Sequence, residues 1–134
     1  MKNLKILPIL MLTVAFFFTA MNSTAHATIW KNLSIYNYTG YTIKALYLVP
    51  RGSSNWGEEQ ITARGYSSFG NNSYLPLSYN AEYSYWWLKI VFSNGATREW
   101  SGSNTVDLGG AYKITLTSTG KDKNGRENFR YQKN

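Results

Sequence analysis

Tyr83-Ser84-Tyr85-Trp86-Trp87-Leu88-Lys89-Ile90-Val91-Phe92, then Ser93-Asn94-Gly95, then Ala96-Thr97-Arg98-Glu99-Trp100, is the stretch that decides the fold. Successive side chains on a strand point to opposite faces of the sheet. Trp86, Leu88, Ile90 and Phe92 therefore form one unbroken apolar face, and Tyr83, Tyr85, Trp87 and Lys89 form the other. Asn94-Gly95 is a strong hairpin signal, because tight hairpin turns need residues that tolerate positive φ. Ala96 to Trp100 is the return strand.

Alternation recurs on both sides of this hairpin. Leu33 to Tyr38 and Tyr41 to Val49 read as strands, with Thr39-Gly40 as a tight hairpin turn between them and Pro50 as a stop. Arg51 to Gln60 is polar and reads as a loop with one helical turn capped by Ser53 or Ser54. Tyr66 to Leu77, broken by Gly70-Asn71-Asn72, reads as a short strand pair or an irregular edge. Thr105 to Leu108 is a short strand before Gly109-Gly110. In Ala111 to Thr117, Tyr112, Ile114 and Leu116 share one face and Lys113, Thr115 and Thr117 the other. Seven to eight short strands without a helix of useful length predict an all-β chain. The expected architecture is an antiparallel β-sandwich (immunoglobulin-like) in which each sheet buries one face.

The first 27 of the 134 residues read as a secretory signal: Lys2 and Lys5, an apolar run from Ile6 to Ala20, then Ala25-His26-Ala27. Pro8 interrupts the run, which is shorter than the roughly 20 residues of a membrane span. Cleavage after Ala27 and a secreted or periplasmic location are expected, with no transmembrane span afterwards; an uncleaved anchor is the alternative. Residues 28–120 form the expected sandwich domain and 121–134 a basic tail or edge strand. His26 is the single histidine and there is no cysteine. The 107 residues after the signal thus lack imidazole and thiol, which excludes Ser-His-Asp and Cys-His catalysis, His or Cys metal sites and disulfides. Twelve Lys and Arg against seven Asp and Glu leave them at +5.

Four stretches carry a resemblance: Asn37-Tyr38-Thr39-Gly40-Tyr41-Thr42-Ile43, Leu46-Tyr47-Leu48-Val49-Pro50, Ser54-Asn55-Trp56-Gly57-Glu58, and Leu88 to Gly95. Together they resemble a group of small exported bacterial β-domains. In that group N-x-T-G, L-Y-x-x-P, S-x-x-W-G-x-D/E and F-x-D/N-G motifs recur in this order. The resemblance covers Ser34 to Leu116, with Asn94 where Asp is commoner and Glu59 directly after Glu58. These are turn and core signals, so the resemblance implies the sandwich and lends no catalytic residue.

The outer-face row of Tyr83, Tyr85, Trp87 and Lys89 suits a sugar ring or a protein partner, since Tyr and Trp offer a flat apolar body with a polar handle. Its alternative role is a second packing layer beneath the Arg51 to Tyr79 excursion. Trp56 is either a ligand platform or a plug that pins its loop on the sandwich end. Glu58 and Glu59 face opposite ways on an extended chain and make a poor catalytic pair. A glycosidase needs two carboxyls about 5–5.5 or about 6.5–9.5 Å apart, which Glu82, Glu99 or Asp107 would supply only through the fold. Seven dispersed acids offer no calcium loop. Lys121, Lys123, Arg126, Arg130 and Lys133 suit an anionic surface such as lipid head groups, teichoic acid or lipopolysaccharide, or simply keep the chain soluble. A turn at Asn124-Gly125 folds this segment back as an edge strand through Phe129 and Tyr131, or it frays. The expected function is an exported, non-enzymatic binding module for a cell-envelope glycan or anionic polymer, with no cofactor, no metal and no nucleic acid. The alternative is an interaction subunit with one protein partner: an inhibitor, immunity factor or surface-assembly component.

Overall fold

Alternate burial builds eight strands and one helical turn in the computed structural model, which describes residues 27–134. The predicted signal lies outside the described residues, apart from Ala27. The strands are β1 (Trp30–Tyr38), β2 (Ile43–Pro50), β3 (Ser73–Asn80), β4 (Tyr85–Phe92), β5 (Thr97–Trp100), β6 (Val106–Asp107), β7 (Lys113–Lys121) and β8 (Glu127–Lys133). Helix α1 is Gln60–Ala63. One sheet has the order β3-β1-β7-β8, and the other β2-β4-β5 with β6 beside β4. Leu33, Ile35, Leu75, Leu77, Ile114 and Leu116 of the first sheet meet Leu46, Leu48, Trp86, Leu88, Ile90 and Phe92 of the second in one buried core. The chain is an all-β sandwich, sharing its two-layer packing with immunoglobulin-like domains and having its own strand order.

Two connections differ from the sequence reading. First, Thr39-Gly40 is not a hairpin, because β1 and β2 lie in opposite sheets. The buried Asn37 side chain holds this corner, and its Nδ2 donates to Tyr41 O (2.8 Å) and Phe69 O (3.0 Å). Its Oδ1 accepts from Thr39 N (3.1 Å) and Thr39 Oγ1 (2.6 Å). With these backbone groups satisfied by a side chain, the corner needs no ladder. Second, β1 pairs with β7 in parallel, among otherwise antiparallel ladders. The chain enters β7 at the end where β1 begins, with Ser34 N donating to Tyr112 O at 3.1 Å.

Smaller differences follow from local geometry. The β4–β5 hairpin has a three-residue loop in which Gly95 takes φ 87° and Phe92 N bonds Ala96 O. Tyr112 precedes β7 and is exposed, while Ala111, Ile114 and Leu116 are buried. Residues 127–133 pair with β7 rather than fraying. Phe129 stacks on Phe92 with centroids 4.5 Å apart, and Tyr41 Oη donates to Glu127 Oε1 at 3.1 Å.

Candidate functional site

The outer face of the β2-β4-β5 sheet is built by register. Tyr47, Lys89 and Glu99 stand side by side across the three strands, and Val49 pairs with Trp87 in the β2–β4 ladder. After Pro50 the chain doubles back: Ser53 N and Ser53 Oγ both donate to Pro50 O, at 3.2 and 2.6 Å. Asn55 Oδ1 accepts from Gly57 N at 2.9 Å, a side-chain turn that aims the intervening Trp56 at the sheet. Gly57 takes φ 66°, and a Cβ there would meet Val49 Cγ1 at 3.4 Å.

The Trp56 ring thus lies over the sheet face rather than at the sandwich end. Its centroid is 6.5 Å from Tyr47 and 6.4 Å from Trp87. Lys89 Nζ sits 5.8 Å from both the Tyr47 and Trp56 centroids and 3.8 Å from Glu99 Oε1. Trp87 Nε1 donates to Gly102 O at 3.2 Å. Beside this indole pair, which forms part of its wall, opens a cleft of about 340 Å³ lined also by Ser53, Ser54, Asn55, Glu99 and Ser101. Both tryptophans are half-buried, so Trp56 is plug and wall at once. Such a cleft presents ring faces beside hydroxyl, amide and carboxylate groups, the combination that holds a polar ring by stacking and hydrogen bonds.

Of the sequence-predicted residues, Trp56, Trp87 and Lys89 come together. Tyr85 shares their face but is not among the residues that line the cleft. Tyr83 precedes β4, and its ring meets Trp86 edge-on at 6.3 Å, so it leaves the expected row. Within the basic segment, Lys121, Lys123 and Arg126 are exposed around the β7–β8 turn. Arg130 donates from Nε to Thr117 Oγ1, and Lys133 Nζ is tied to Asp107 Oδ2 (3.1 Å) and Gly109 O (3.0 Å). The five cations therefore form no single patch. Tyr47 was not singled out by the sequence reading, which took Glu99 only as a candidate second carboxyl and Ser53 or Ser54 only as a helix cap. Strand parity marks Tyr47 and Glu99 as outward, but their alignment with Lys89 depends on register.

The Glu59 carboxylate is engaged by the backbone around it. It caps α1, where Ser53 or Ser54 was expected, accepting from Ile61 N (2.6 Å) and Thr62 N (3.0 Å). The same carboxylate accepts Leu46 N at 3.0 Å and so closes the edge of β2. Partial burial pulls its pKa upward, yet these hydrogen bonds from Leu46, Thr62 and Ile61 outweigh it and leave the group below its ordinary value. Asp107 is likewise lowered, first by Gly109 N and then by Lys133. Among the described residues no three His, Cys, Asp or Glu side chains converge as a metal site. Comparison with known protein families, curated proteins and solved structures gives no match, so the site is read from its own geometry.

Proposed function

We propose that this chain is a non-enzymatic glycan-binding module whose cleft, walled by Trp56 and Trp87, receives a sugar ring. The observation that carries this reading is the pairing of the two indoles in the wall of one polar-rimmed cleft. A hexose offers an apolar ring face to an indole and hydroxyls to the flanking Ser, Asn and Glu groups. Lys89 and Glu99 neutralise one another, which favours an uncharged ring over an ionic ligand. Glu99 is the carboxylate among the described lining residues, whereas glycoside hydrolysis uses two flanking carboxyls. The export signal read in the sequence supports an envelope glycan as the natural target.

Intrinsic tryptophan fluorescence of the purified protein, titrated with soluble peptidoglycan fragments and neutral oligosaccharides, tests the proposal. A saturable change with one glycan class, lost in Trp87→Ala while the fold persists, is the expected result. Identical titrations for the native protein and the variant would overturn it.

A further inference from the structure

The opposite side of the sandwich carries a second constellation. Register across the β3-β1-β7-β8 sheet sets Tyr74, Tyr36, Thr115 and Gln132 in one row, with Tyr38, Thr117 and Arg130 in the next. Tyr36 stacks on Tyr74 (centroids 5.3 Å apart, planes at 27°) and lies 5.9 Å from Tyr38. The three rings make one continuous patch, and Tyr38 and Tyr74 are 45% and 55% exposed. Lys113 Nζ sits 4.6 Å from the Tyr36 centroid. Arg130 spends one N–H on Thr117 and keeps the rest of its guanidinium exposed.

Charge on this face is one-sided. The acids lie elsewhere: Glu58 and Glu59 before α1, Glu82 and Asp107 beside β4, Glu99 in β5, and Asp122 in the β7–β8 turn. Glu127, though on β8, is taken by Tyr41 and Ser118. Neither Lys113 nor Arg130 has a carboxylate partner among the described residues. Neighbouring strands lie about 4.8 Å apart, so the two cations stand roughly 5 and 10 Å across the sheet from the β1 tyrosines.

We infer that this face binds an acidic polysaccharide, with sugar rings on Tyr36, Tyr38 and Tyr74 and their anionic substituents on Lys113 and Arg130. Adjacent ring platforms and cations without a carboxylate partner among the described residues complement a polymer that carries a ring face and a negative group in every unit. A neutral glycan would leave the cations unused, and a bare polyanion would leave the rings unused. The inference does not rest on the Trp56–Trp87 cleft, which lies on the other sheet.

The test measures binding of the full chain to polygalacturonate at low and physiological salt, with neutral dextran and single-stranded DNA as comparisons. Expected is salt-sensitive binding to polygalacturonate, roughly tenfold weaker in Lys113→Gln/Arg130→Gln and in Tyr74→Ala. Arg130→Gln alone, at an exposed position, gives an intermediate loss and guards against a folding defect in the double variant. Unchanged affinity in the charge variants would overturn the inference. So would equal affinity for DNA that is indifferent to Tyr74→Ala, which would mark simple ion exchange.

Discussion

The Trp56 ring lies 6.4 Å from Trp87 with the planes at 51°, although one belongs to a loop and the other to the central strand of its sheet. A single contact therefore both pins the loop and forms the cleft.

The two tryptophans are expected to be energetically coupled. Trp56→Ala and Trp87→Ala each remove a half-buried ring and each strip the partner of its contact. A double-mutant cycle by urea denaturation is expected to give a coupling of about 0.5–1.5 kcal/mol. Strict additivity would mean that the rings are neighbours without consequence, and the loop would then owe its position to other bonds.

Glu59 predicts an acid-sensitive stability. Its folded pKa lies below the ordinary 4.5, so the native state prefers the carboxylate. That preference contributes fully above pH 4.5 and is lost as pH falls through the folded value. Glu59→Gln keeps the shape but weakens the bonds to Leu46, Ile61 and Thr62, at a cost of about 1–2 kcal/mol near neutrality. Thermal midpoints compared from pH 7 to pH 3 should converge at the acid end. A gap independent of pH would assign the effect to shape alone.

The legible part of the fold was local. Parity in Trp86 to Phe92 needs only neighbouring residues, and the buried stripe follows it residue for residue. Parity failed at Tyr83 because β4 begins at Tyr85 and the chain before it is not extended in the same line. Partnership was not legible: whether Thr39-Gly40 makes a hairpin or a crossing depends on Asn37 reaching Phe69, a contact spanning 32 positions. The cap at Glu59 left no helical periodicity because α1 has four residues. Trp56 stood out as a loop tryptophan, while its seat on the sheet follows from the Asn55–Gly57 turn and from β2–β4 register together.

Asn37 is expected to be among the least replaceable polar residues. It is fully buried, and its side chain makes four hydrogen bonds, three to Thr39 and Tyr41 in the corner and one to Phe69 O. Asn37→Ala leaves Phe69 O and Tyr41 O without that donor and opens a void, costing about 2–4 kcal/mol. Asn37→Asp keeps the size but turns an acceptor toward the same carbonyls, so it should be at least as damaging at pH 7. Chemical denaturation of both variants decides this. An Asp variant of native stability would show that the corner does not depend on the amide donor.

Gly57 links backbone conformation to the cleft. Its φ of 66° disfavours any residue with a Cβ, and that Cβ would also press on Val49 Cγ1 at 3.4 Å. Gly57→Ala is expected to cost about 1–2 kcal/mol through the left-handed conformation. Relief of that strain means rotating the 55–57 turn, which withdraws Trp56 from Trp87. The variant should therefore show a red-shifted tryptophan emission and weaker glycan binding even at temperatures where it is fully folded. Loss of stability with unchanged emission and unchanged binding would separate the turn from the cleft and leave Trp56 held by its ring contacts alone.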